Sequence, residues 1–222
     1  MGGRSSNNDG VFVCGLGRFG TSTAQALVRM GHPVLAVDRD PRLVQAWAGR
    51  LTRVVEADTT NVEALEQLGC TDFPVAVDAI GTSVESSVLT AASLVDLGIK
   101  QIWAKALTPP HGKILERIGV SHVIYPEADA GRRVAHLVGG RLMDYIEFDD
   151  GFAIVKMRPP KETQGFTLSE SQVQEKYGVT IVGVKSPNQD FAHAQPDTFV
   201  SSQDILIVSG LAELVEKFAA RP

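Results

Sequence analysis

The chain has 222 residues, 44% hydrophobic and 21% charged, with a formal net charge of −5, a balance that suits a globular protein with a core needing no disulfide or metal. The negative charge disfavours a sequence-independent nucleic-acid binder, which needs a basic surface. The longest stretches free of Asp, Glu, Lys and Arg are ten residues (19–28 and 86–95), against the roughly twenty apolar residues of a membrane helix.

Residues 1–10 lack the apolar stretch of a signal peptide and read as a flexible leader. Short apolar runs at 11–14, 34–37, 53–55, 75–80, 102–104 and 122–125 then predict six strands. Amphipathic stretches between them predict helices at 21–30, 41–48, 62–68, 84–97 and 114–118. Pro41 suits a first helical turn, and Gly69, Gly98 and Gly119 suit helix ends. This alternation predicts a Rossmann-like, doubly wound parallel sheet over 11–126. A connecting helix at 127–142 leads out of it, within a connector assigned to 127–144. The remainder, 145–222, reads as a small α+β domain: a hairpin over 144–157 turning at 149–151, a loop at 158–165, a helix at 167–176, strands at 179–185 and 205–208, and a last helix at 211–218. Cys14 and Cys70 show no metal-binding spacing and fit a reducing cytosol.

The first strand runs into Gly15-Leu16-Gly17-Arg18-Phe19-Gly20. Gly15 makes the tight turn, Gly17 lets a phosphate approach the backbone, and Gly20 lets the helix pack on the sheet. The following helix offers free N–H groups to an anion. Asp38, 18 residues after Gly20, ends the second strand, where a carboxylate accepts hydrogen bonds from ribose hydroxyls and repels a 2′-phosphate. These features predict an adenine-nucleotide site, with Arg39 beside it. Arg18 is placed to reach a terminal phosphate or, alternatively, is a solvated arginine. Asp58 and Thr59 lie either at the adenine or, with Thr60, in a helix cap. Gly81, after the fourth strand, lies at the carboxyl edge of the sheet or in a simple turn.

The glycine loop, Arg-Met-Gly-His-Pro-Val-Leu-Ala-Val-Asp at 29–38, Ile-Trp-Ala-Lys-Ala at 102–106, residues 111–119 and Val-Ile-Tyr-Pro-Glu at 123–127 resemble RCK domains. The set looks most like the KtrA/TrkA-type cytosolic regulatory subunits of bacterial Ktr/Trk potassium uptake systems. Glu-Lys-Tyr-Gly at 175–178 extends the resemblance towards the C-terminus. It implies a cytoplasmic ring, usually an octamer, that binds ATP or ADP, with NAD(H) in some relatives. The ring docks on a membrane potassium-translocating subunit and gates transport without catalysis. It places Lys105 near the nucleotide and Glu127 near the terminal phosphate and a divalent cation, Mg²⁺ or Ca²⁺. A carboxylate there needs the cation or a salt bridge with Arg18 to offset phosphate repulsion; otherwise Glu127 is a first-turn acid favouring its helix dipole. Glu85 and Ser87 fall in a segment near the nucleotide and the subunit contact. The C-terminal domain of the family can bind cyclic di-AMP, but a family arginine is Gln174 here, which counts against that ligand.

Two other readings fit less. A dehydrogenase needs a substrate domain with a general acid or base, and His32, His111, His122, His136 and His193 show no pairing with an acid. A DNA-binding redox sensor needs a helix-turn-helix for which the leader is too short.

Overall fold

The computed structural model describes residues 9–148 and 150–222. The expected leader lies outside these residues up to position 8, as does Asp149 of the expected hairpin turn. The chain divides into two compact units between Glu127 and Ala128.

The first unit is a six-stranded parallel sheet of β1 (Val11–Cys14), β2 (Val34–Asp38), β3 (Arg53–Glu56), β4 (Val75–Asp78), β5 (Gln101–Lys105) and β6 (His122–Ile124), in the order β3-β2-β1-β4-β5-β6. The doubly wound fold expected from the strand–helix alternation is therefore present. All four residues of β1 are buried, because a central parallel strand is covered on both faces. Side-chain alternation divides the core. Phe12, Cys14, Leu35, Val37, Ala76, Ile102 and Ala104 pack on one side with Leu94 of α4 (Val84–Asp96) and Leu115 of α5 (Pro109–Ile118). Val11, Val13, Val34, Ala36 and Val77 pack on the other with Ala24 of α1 (Arg18–Arg29). Two shorter helices, α2 (Pro41–Trp47) and α3 (Val62–Gln67), flank β3 in the chain. Strand order reverses between β1 and β4, which opens a crevice at their carboxyl ends.

Helix boundaries differ from expectation at identifiable signals. α5 starts at Pro109, five residues before the expected start. Thr108 caps it by accepting from His111 N at 3.3 Å, and prolines in a first turn forfeit no helical hydrogen bond. α6 (Pro126–Val138) stops four residues short of the expected 142, at the glycine pair 139–140, with Gly140 at φ 73°.

The second unit is built on a five-stranded antiparallel sheet: β7 (Leu142–Glu147), β8 (Phe152–Met157), β10 (Thr180–Lys185), β11 (Ala192–His193) and β13 (Ile205–Leu211), ordered β11-β10-β13-β8-β7. A small pair, β9 (Phe166–Thr167) with β12 (Phe199–Val200), stands apart from it. Gln172, at φ 51°, splits the helix expected at 167–176 into α7 (Leu168–Ser171) and α8 (Val173–Tyr177). Val215 and Phe218 of α9 (Ala212–Ala219) join the buried cluster with Val155, Leu206 and Val208.

Candidate functional site

The crevice holds a cleft of about 260 Å³, lined by Gly15, Gly17, Asp38, Arg39, Asp40, Asp58, Thr59, Gly81 and Thr82 among others. It thus gathers seven of the residues expected from sequence. Arg18, Phe19, Gly20, Lys105 and Glu127 stand outside its lining.

The three glycines have distinct roles. Gly15 has φ 98°, a left-handed conformation that a side chain disfavours, and a Cβ there would press within 3.3 Å of the Ala79 backbone. A Cβ on Gly20 would run into the Gly15 carbonyl oxygen, so the first turn of α1 lies directly on the loop. A Cβ on Gly17 would meet nothing within 4 Å. What Gly17 leaves open is space in the cleft, at the residue that precedes α1.

Asp38 closes this loop. Its Oδ2 accepts from Leu16 N at 2.6 Å and its Oδ1 from Asp40 N at 2.8 Å. Each oxygen keeps a second lone pair for a ligand hydroxyl. Asp40, which sequence reasoning passed over, caps α2 by accepting from Arg42 N at 2.9 Å. The Arg42 side chain beside it holds its carboxyl below the usual range. The Asp-Pro step at 40–41 was the available signal.

Asp58 accepts from Thr60 N at 3.0 Å and Thr60 Oγ1 at 2.7 Å, and these bonds lower its pKa. The cap of α3 is Asn61, which accepts from Ala64 N, so the cap alternative for Asp58, Thr59 and Thr60 does not hold. Thr59 is buried, with its hydroxyl 2.9 Å from that of Thr90 on α4.

Arg18 is exposed at the start of α1, and Phe19 packs into the core on the α1 side of the sheet. Phe19 therefore supports the loop and does not face the cleft. Lys105, at the end of β5, is 8% exposed. Its Nζ lies 2.7 Å from the place a Gly81 Cβ would take, and 2.8 Å from Glu127 Oε1. Lys105, with a smaller contribution from the Arg18 charge, holds the Glu127 carboxyl below its ordinary range. The ion pair of Glu127 thus forms with Lys105 and not with Arg18, the partner offered as the alternative to a cation, because the lysine emerges at the end of the neighbouring strand. Among the described residues no three His, Cys, Asp or Glu side chains converge as metal ligands. Glu127 is paired with the Lys105 ammonium.

Glu85 is exposed in the first turn of α4, whereas Ser87 is buried and donates to Asp78 Oδ2 at 2.6 Å. Asp78 also went unnoticed in the sequence, since an acid closing an apolar strand reads like Asp38. Unlike Asp38 it is fully buried, and burial pushes its pKa up to about 7.

The TrkA-N domain family matches residues 11–126. The Ktr system potassium uptake protein A of Bacillus subtilis (strain 168) is 35% identical over 93% of this chain and 93% of its own. The chain belongs to the TrkA-N family. Its relatives include the Ktr system potassium uptake protein C of the same organism, 33% identical over 94% of this chain and 95% of that protein. The fold of the chain recurs in the RCK domain of GsuK, with a TM-score of 0.67 at 17% identity. That match covers 96% of this chain, which spans 48% of the GsuK chain. A GsuK channel bound to NAD matches with a TM-score of 0.67 at 16% identity, over 96% of this chain and 40% of that one. Among the described residues no helix is long and apolar enough to cross a membrane.

Proposed function

We propose that this chain is a nucleotide-sensing regulatory subunit of a Ktr-type potassium uptake system. It forms a cytoplasmic ring with copies of itself, an octamer, on the inner face of the membrane, and gates a potassium-translocating partner. Identity of 35% across 93% of both this chain and a Ktr system protein A carries the reading. The cleft supplies the chemistry. Gly17 leaves room at the start of α1 for a phosphate, where free N–H groups and the helix dipole favour an anion. Asp38 retains lone pairs for a ribose. Arg18 reaches terminal phosphates from the loop, and its charge already acts on Glu127. ATP and ADP are the proposed ligands, distinguished by the terminal phosphate. The proposed role is binding and gating, without catalytic turnover.

NAD(H) is the second reading, favoured by Asp38 at the end of β2, where an acid suits a free 2′-hydroxyl, and by the GsuK channel bound to NAD. Thermal-shift titration with ATP, ADP and NADH ranks these ligands by stabilisation. Cyclic di-AMP, the C-terminal ligand that Gln174 counts against, is a fourth arm and is expected to give no shift. Absence of a shift with every adenine nucleotide overturns the site, and a monomer by light scattering at micromolar concentration overturns the ring.

A further inference from the structure

β4 ends on a carboxylate sealed inside the sheet. Asp78 Oδ1 accepts from Ile80 N at 3.0 Å, and Oδ2 accepts from Ser87 Oγ at 2.6 Å. Ile80 lines the cleft, as does Ser86 beside Ser87 on α4. The two hydrogen bonds of this one acid therefore hold two parts of the cleft wall. Ile80 N also lies 3.4 Å from the place a Gly15 Cβ would occupy. The carboxylate is separated from the glycine loop by little more than one peptide unit.

Among the described residues no charged side chain bonds to it. β1 opposes Asp78 with Cys14, β5 opposes it with Ala104, and α4 contributes Ser87. Burial first, and then the Asp78 charge, push the Cys14 thiol well up, so it stays neutral. Lys105 follows Ala104 on β5, so alternation turns it to the other face of the sheet, where it pairs with Glu127. Burial raises the Asp78 carboxyl to about 7, against the lowering effect of its bonds to Ser87 and Ile80.

The hydrogen count differs between the two states. When Asp78 is ionised, the Ser87 hydroxyl donates to it. When it is protonated, the carboxyl hydrogen donates to Ser87 Oγ, and the serine hydrogen is released to another acceptor. A negative charge disappears from beside the loop at the same time. An anion in the cleft repels that charge across a low-dielectric wall, and so favours the protonated state.

We propose that Asp78 makes nucleotide binding in this cleft proton-linked: an anionic nucleotide draws a proton onto Asp78, and its affinity rises as pH falls through the neutral range. The proposal rests on the nucleotide reading of the cleft.

The test is calorimetric titration of ADP into the full chain between about pH 6 and pH 8, in buffers of different ionisation enthalpy, for the wild type and Asp78→Asn. The terminal phosphate of ADP titrates with both proteins and cancels in the comparison. Wild-type affinity is expected to rise at least about fivefold more than that of Asp78→Asn across this range, with a proton uptake that exceeds the variant's by a fraction of a proton. Ser87→Ala removes a bond that favours the ionised acid, so it moves the wild-type midpoint to higher pH. That variant carries the test if Asp78→Asn does not fold. Equal pH slopes and equal proton uptake in wild type and Asp78→Asn, or an unmoved midpoint in Ser87→Ala, overturn the proposal while the nucleotide site stands. No ADP binding at any pH overturns the nucleotide reading and the proposal with it.

Discussion

The Leu16 backbone N–H donates a 2.6 Å hydrogen bond to Asp38 Oδ2, so the acid that ends β2 also fastens the glycine loop. Asp38 has a structural role before any ligand arrives. Asp38→Ala is expected to destabilise the ligand-free protein by about 1–3 kcal/mol, because the Leu16 and Asp40 N–H groups lose their acceptor. Thermal melts without nucleotide check this. An unchanged melting temperature would leave Asp38 with a ligand role only.

Gly17 and Gly20 separate binding from folding. Gly17→Ala is expected to fold with stability within about 0.5 kcal/mol of wild type, since its φ of −67° is open to any residue and the added carbon meets nothing. It should weaken phosphate-bearing ligands by filling the approach. Gly20→Ala drives a carbon onto the Gly15 carbonyl and is expected to lose more than about 2 kcal/mol. Melting and ADP titration of both variants distinguish the roles.

Arg18 is exposed and makes no ion pair among the described residues. Arg18→Ala should leave the melting temperature unchanged and weaken ATP by about tenfold, ADP by less and adenosine not at all, as expected for a lost charge-assisted bond. Equal weakening of all three would assign Arg18 to support of the loop.

The Lys105–Glu127 pair should matter only above the acid range. The folded state holds Glu127 below its ordinary pKa, so its stabilisation is present above the unfolded value and is lost as pH falls through the folded one. Glu127→Gln should therefore lower the melting temperature slightly at neutral pH, and the difference should vanish in acid. The effect is small because the Glu127 side chain is 67% exposed.

Asp78 acts in the opposite direction. Its pKa is pushed up to about 7 in the folded protein, so between the unfolded value and about 7 the folded state binds more protons and stability falls as pH rises. Asp78→Asn keeps an acceptor for Ile80 and supplies a donor to Ser87. Its stability gain over wild type should grow from near zero at about pH 4 to a plateau above pH 7, on the order of 4 kcal/mol at most. Denaturant melts across this range check the slope.

Local signals carried most of the first unit. β1 has the expected bounds, and the glycines at 69, 98 and 119 adopt left-handed φ at helix ends, because these features depend on a few neighbouring residues. The errors arose where two local signals competed. The helix expected from 114 starts at Pro109, because Thr108 caps a first turn that two prolines can occupy. The short β11 and β12 carry too few residues to show a period of two, and their pairing partners supply their order.

The sequence by itself determined the doubly wound sheet, the glycine loop and the acid at the end of β2, since apolar period, turn chemistry and spacing are written along the chain. Tertiary structure alone decided which acids differ. Asp38 and Asp78 both close apolar strands, but Asp38 reaches the loop from β2, beside the central strand β1, while Asp78 is sealed beneath α4. It also decided that Lys105, and not Arg18, pairs with Glu127, because adjacent strand ends bring residues 105 and 127 together. Burial and partner choice depend on what the fold places in contact, and that is not written in spacing.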